Sequence, residues 1–207
     1  MKKALTLAVL ALFVAPVANG AIMFDGSPGT AAPPPTLGSY TMTAFPPDPQ
    51  PLSVDVTSVA SPLGGDVDFS IPLSHRVIGS GWATWSHGYT GDVYFTNFAP
   101  DVTLTLPTDT GAFYFYVEPN TFSDFEFEAT AQDGTSSGTI LINGSSGAKY
   151  FGFYGTGGDT VDTISVVNTD GGASGFAIGE FGIALVPEPA SLGLLALGGL
   201  AVLRRRR

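Results

Sequence analysis

Few side chains in this sequence can do chemistry, and their spacing limits what that chemistry is. There are two histidines, His75 and His87, and no cysteine. Thiol catalysis, disulfides and zinc–thiolate sites are thereby excluded. A hydrolytic triad needs a serine within reach of a histidine. Ser86 precedes His87, but neighbours on a strand point to opposite faces. His75 stands beside Arg76 in a strand-like run and reads as a polar residue satisfied by backbone bonds. Gly134-Thr135-Ser136-Ser137-Gly138 spells Gly-x-Ser-x-Gly. A nucleophile elbow needs a strand before it and a helix after it. Thr139 to Ile142 reads as a strand instead, so a polar hairpin loop is expected there. No residue is assigned a catalytic role.

The carboxylates offer two further chemistries. Glu126 and Glu128 alternate with Phe125 and Phe127, so they share an outward face, roughly 7 Å apart. That spacing suits a glycosidase pair, but nothing nearby would bury one of them, and a solvated acidic face is expected. Glu180 shares a face with Phe176 and Ile178 in an unbroken strand. An inward acid needs a partner, or a bulge at Gly179 or Gly182 that turns it outward. Calcium is the functional alternative, with Asp159, Asp162 and Asp170 as companion oxygen ligands. Asp170 and Glu180 are the candidates carried forward, and no other cofactor is implied. The aromatic residues suggest binding. Trp82 and Trp85 lie in a ring-rich, glycine-rich run from Gly81 to Tyr89, and Tyr114 and Tyr116 share one face of a strand. Exposed, these four would form a platform for sugar rings. In a central strand, both faces would be covered instead.

The elements that must position these groups are strands. Val102, Leu104 and Leu106 alternate with Thr103 and Thr105, and Phe125, Phe127 and Ala129 with Glu126, Glu128 and Thr130. Leu52, Val54 and Val56 repeat the pattern. Period two marks a strand with one buried face. Further strands are expected at 66–71, 73–78, 92–98, 112–118, 138–142, 148–154, 161–168 and 175–185. Glycine-rich turns such as Asp133-Gly134, Asn143-Gly144 and Asp170-Gly171-Gly172 separate them. The fold class is therefore all-β, an antiparallel sandwich occupying residues 52–185. Residues 21–51 hold eight of the 16 prolines and read as an extended lead-in, with Met42, Ala44 and Phe45 along the domain edge. Between Ala21 and Val186 there are seventeen acidic residues against Arg76 and Lys149 alone, a formal charge of −15. Such a body is a poor partner for nucleic acid.

The two ends differ from the body. Lys2 and Lys3, an apolar run from Ala4 to Val14, and Ala18-Asn19-Gly20 read as a signal helix, residues 1–20, cleaved between Gly20 and Ala21. At the other end Pro187-Glu188-Pro189 leads into fourteen uncharged residues, Ala190 to Leu203, and then Arg204, Arg205, Arg206 and Arg207. As a helix the run spans about 21 Å, short of a bilayer core of about 30 Å. It suits a transient inner-membrane hold, with the arginine cluster cytoplasmic.

This order of motif, apolar helix and arginine cluster, residues 186–207, resembles the PEP-CTERM sorting signal. The resemblance implies a membrane transpeptidase of the exosortase type as partner, with Pro187, Glu188 and Pro189 as its recognition motif. It also implies loss of the tail and export to the surface or matrix of an exopolysaccharide-producing Gram-negative bacterium. The run from Lys149 to Ile183 resembles the closing half of sandwich domains found in PEP-CTERM proteins, whose outline is that of jelly-roll carbohydrate-binding modules. The expected function is an exported, non-catalytic structural or binding protein, with exopolysaccharide as a candidate partner. A secreted carbohydrate-active enzyme and a calcium-dependent adhesion module are the alternatives. If the cleavage pattern is read correctly, N-terminal sequencing of the exported protein begins near Ala21. An exported form that keeps residues 1–20 would refute that reading.

Overall fold

Period-two alternation builds a chain of strands, and the computed structural model, which describes residues 20–187, places fifteen of them. They are β1 (Ile22–Asp25), β2 (Thr36–Leu37), β3 (Tyr40–Thr41), β4 (Thr43–Ala44), β5 (Asp55–Ala60), β6 (Asp66–Ile78), β7 (Gly81–Trp82) and β8 (Asp92–Phe95). Then come β9 (Asp101–Thr105), β10 (Thr110–Pro119), β11 (Asp124–Ala131), β12 (Ile140–Asn143), β13 (Lys149–Gly155), β14 (Thr163–Asn168) and β15 (Phe176–Leu185). Among the described residues there is no helix. The signal segment up to residue 19, Glu188, Pro189, the apolar run and Arg204 to Arg207 lie outside the described residues.

The main sheet runs β1-β13-β10-β15-β8-β6-β9-β14-β11-β12 and folds back on itself as a sandwich. Strand β6 makes the corner. Its first half pairs with β9, Phe69 opposite Leu104, and its second half pairs with β8, Ser74 opposite Phe95. The expected strands at 66–71 and 73–78 are thus one strand running through Pro72. Proline lacks an N–H, and the corner is where a missing ladder bond is tolerated. From β9 onward the chain alternates between the layers, except for the β11–β12 hairpin.

Phe113, Phe115 and Val117 of β10 point between the layers, with Phe151 and Phe153 beside them and Val102, Leu104, Phe127, Ile164 and Val166 facing them. The Phe127 and Phe176 rings meet edge to face across the sandwich, 5.2 Å between centroids. The alternate residues of β10, Ala112, Tyr114 and Tyr116, belong to a second cluster with Leu37, Tyr40, Trp82, Trp85 and Tyr150. All ten residues of β10 are therefore buried. Glycine makes room for the tyrosines. A Cβ on Gly182 would strike the Tyr114 ring, and one on Gly152 the Tyr150 ring. Here lies the structural reason for the alternating Phe-Gly pattern of β13 and β15.

The proline-rich lead-in is extended, as expected, but it is part of the body. Strand β1 pairs with β13, and β4 pairs with β15. Leu37 is 1% exposed and covers the outer face of β13. One expectation fails at the junction. Leu52 is 44% exposed, and β5 starts only at Asp55, because Ser53 adopts φ +62° and breaks the alternation. Residues 21–187 are expected to unfold in one cooperative thermal transition. Leu37→Ala should cost about 2–5 kcal/mol, and Leu52→Ala less than about 0.5 kcal/mol. Equal effects in denaturant titrations would mean that the lead-in does not pack as described.

Candidate functional site

The outer face of β10 and β15 concentrates the polar groups. Tyr114 pairs with Gly182 but Tyr116 pairs with Gly179, so Glu180 and Phe181 together oppose Phe115. This is a β-bulge, and Glu180 sits in it at φ +54°. The extra residue lets Phe181 enter the inner core while Glu180 turns to the other face. The bulge expected at Gly179 is present, but Glu180 does not reach open solvent. Its side chain is 10% exposed, with Trp85 Nε1 donating to it at 3.0 Å and His87 Nε2 lying 2.8 Å from it. Burial pushes its carboxyl up, and the His87 and Trp85 contacts pull it back.

Glu118 is a second buried carboxylate on that face. Trp82 Nε1 donates to Oε2 at 2.7 Å, and Thr84 Oγ1 and Gly147 N–H donate to Oε1 at 3.2 and 3.3 Å. Burial pushes its carboxyl up to about 7 against these donors. The sequence motifs do not single out Glu118, although it ends an unbroken apolar run, Phe113 to Val117, where an acid has to find a partner. Each tryptophan of the 81–89 loop thus hands its indole N–H to a buried carboxylate. The structure does bring Trp82, Trp85, Tyr114 and Tyr116 together, but all are buried, between 0 and 8% exposed. They form no exposed sugar platform, because the loop and the lead-in cover the face.

Ser86 and His87 meet, contrary to expectation. His87 has φ +41°, so the pair lies in a turn and not on a strand. Ser86 Oγ is 2.9 Å from His87 Nδ1, which also lies 3.1 Å from the Thr30 carbonyl. Serine, histidine and Glu180 stand in line, but Ser86 is 3% exposed. His75 makes a parallel arrangement. Its Nδ1–H donates to the Pro51 carbonyl at 3.2 Å, and Nε2 lies 2.9 Å from Asp92 Oδ1. Thus its partners include a side chain as well as the expected backbone group. Tyr94 donates to Asp48, whose N–H donates to Asp92. Both histidines therefore fasten lead-in carbonyls to the sheet.

The remaining candidates are dispersed. Ser136 donates to Glu128, and Ser137 to the Gly138 carbonyl, within the hairpin between β11 and β12. Glu126 is exposed and Glu128 half-buried on the outward face of β11. Asp170 accepts from Glu126 N–H, Asn168 Nδ2 and Gly172 N–H and so closes a turn. Among the described residues no three histidine or carboxylate side chains converge as metal ligands. The calcium set of Asp159, Asp162, Asp170 and Glu180 is not assembled, since Asp170 is tied to β11 and Glu180 to the tryptophan loop.

One cavity of about 220 Å³ opens beside Glu180. Its lead-in wall is Pro33, Phe45, Pro46 and Pro47, and its sheet wall is Tyr89, Asp92, Tyr94, Tyr114, Glu180 and Phe181. Ser86 and His87 do not line it.

The last strand ends at Leu185, Val186 N–H donates to the Asp109 carbonyl, and Pro187 is exposed. From that point the sequence departs from the body, and residues 185–207 match the family model of the PEP-CTERM protein-sorting motif. The chain carries a PEP-CTERM tail. The match begins one residue before Val186, at the final residue of β15. A PEP-CTERM tail marks an exported protein, sorted to the cell surface by an exosortase, which is a membrane protein. A search of curated proteins found no match to the chain.

Glu118 gives the PEP-CTERM protein a pH signature. Its carboxyl sits at about 7 when folded, against 4.5 ordinarily. Below about 4.5 the acid is protonated in both states, and its contribution to stability is complete. As pH rises to about 7, the unfolded chain loses the proton that the folded chain keeps, so stability falls. The loss is at most about 3 kcal/mol. Glu118→Gln should flatten that part of the profile in denaturant titrations. Parallel profiles for the two proteins would show that Glu118 is not the group responsible.

Proposed function

We propose that this is an exported β-sandwich that acts at the cell surface or in exopolysaccharide by binding or building, without turnover. The carrying observation is the position of the sorting tail, directly after the last strand of a body in which His75, Ser86, His87, Glu118 and Glu180 fasten loops to the sheet. Ser86 has no opening to a substrate, and Glu118 is closed off by Trp82 and Thr84. The wider reading adds a signal segment cleaved before Ala21, a transient inner-membrane hold through the C-terminal apolar run, and a Gram-negative envelope.

Replacing Pro187, Glu188 and Pro189 with alanine tests the sorting part. The apolar run and Arg204 to Arg207 still supply insertion and orientation, while the proline-fixed extended motif is gone. In a host with the exosortase, tail-processed protein in the surface fraction should fall about tenfold or more, a loss of at least about 1.4 kcal/mol in recognition. Equal processing would reduce the motif to a linker. The second part is tested by incubating processed protein with the host's own polysaccharide. Retention without new reducing ends is expected, and release that Ser86→Ala abolishes would make the body a hydrolase.

A further inference from the structure

We propose that the cavity between the proline-rich lead-in and β8, β10 and β15 binds a compact organic cation, an alkylammonium head group, held between aromatic rings and the carboxylates of Glu180 and Asp92.

Size comes first. The cavity holds about 220 Å³, the volume of roughly seven waters at ~30 Å³ each. That is below the roughly 300–1,000 Å³ of drug-sized pockets and limits the occupant to one compact group; polarity, not size, must separate a cation from a sugar ring.

Charge and polarity narrow the class. Every ionised side chain on its wall is a carboxylate, and the body around it carries −15. Phosphates and uronic acids are repelled. Tyr89 and Tyr94 already donate their hydroxyls, to the Asp92 carbonyl and to Asp48. The wall therefore offers few free donors, and its carboxylates, already engaged by His75, Asp48 N–H, His87 and Trp85, contribute charge to the space and not open hydrogen-bonding positions. Tyr114 is 3% exposed, and its hydroxyl makes no hydrogen bond among the described residues. Its ring lies over Gly182 and lines the space. Burial and then the charge of Glu180 push its hydroxyl up to about 12. Tyr89 is also raised, by burial first and then by Glu180 and Asp92.

The apolar wall supplies the other half of the recognition. Phe45, Tyr89 and Tyr114 line the same space, and the Tyr94 ring, stacked on His75 and Phe181, completes the wall. Aromatic faces attract a desolvated cation, and a quaternary ammonium needs no hydrogen bonds of its own. Prolines 33, 46 and 47 hold the lead-in wall rigid, so little conformational entropy is lost on binding. This deepens the reading of the body as a binding module and adds a ligand class to it.

The test titrates the exported, tail-processed protein with choline, its neutral isostere 3,3-dimethylbutan-1-ol, and glucose, by calorimetry or NMR at low salt. Choline should bind saturably, with the isostere and glucose at least about tenfold weaker. Ala44→Phe fills the cavity from an exposed position and should lose binding about tenfold or more with the unfolding midpoint unchanged. Tyr114→Phe removes one unbonded hydroxyl and should weaken binding a few-fold. Equal affinity for the isostere or glucose, no saturable choline binding, or choline binding unaltered by Ala44→Phe would overturn the site. Because sorting and polysaccharide retention are measured separately, a protein that passes those tests yet ignores choline refutes this cavity assignment alone.

Discussion

Layer β1-β13-β10-β15-β8 is apolar on both faces, and only one face has a sheet to close it. The other must be covered by segments without long strands of their own: the lead-in and the 81–89 loop. Tryptophan solves the problem such a cover poses. It lays a large apolar ring on the sheet and keeps one donor at its edge. The sheet must then supply an acceptor in an apolar surface, which costs free energy unless the acceptor is fully used. Glu118 and Glu180 are those acceptors, one at the end of β10 and one in the bulge of β15. The bulge is what allows an acid on that face while Phe181 stays in the core.

The histidines extend the same scheme to the lead-in. His87 bridges Glu180 to the Thr30 carbonyl, and His75 bridges Asp92 to the Pro51 carbonyl. Tyr116 adds a 2.6 Å bond to the Ala31 carbonyl. A proline-rich segment has few N–H groups for a ladder but keeps all its carbonyls, so donor side chains are what can hold it. What the sequence presents as catalytic residue types thus serves attachment, and the cavity is the gap left beside the attachment points.

The inner core was legible because period two survives in Phe113-Phe115-Val117 and Phe125-Phe127. The tail was legible because sorting enzymes read a linear motif. The outer face was not. Leu37 and Tyr40 sit in two-residue strands, too short to show any period. Trp82 and Trp85 announced a ring-rich loop, but composition does not say whether a loop lies open or lies on a sheet, and the partners are 36 and 95 residues away. The strand rule separated Ser86 from His87, and a positive φ, invisible at a histidine, reunited them. Glu118 had a signal, an acid closing an apolar run, but the run itself looked one-faced.

The two ends of the described chain emerge at one end of the same layer. Met23 pairs with Tyr154, Tyr154 with Ala112, and Ala112 with Ala184, so a single row crosses β1, β13, β10 and β15. At about 4.8 Å per strand spacing, the exits are about 14 Å apart. A precursor held in the membrane by both of the segments read from the sequence would therefore hang from one end of its sandwich, with neither strand bent to reach. Strand β15 is complete at Leu185, and Val186 adds one bond to Asp109, so the strand pairings of the described residues all lie before Pro187. Pro187, where the described chain ends, is exposed beside the closed sheet, and the body keeps the bonds of its two cores.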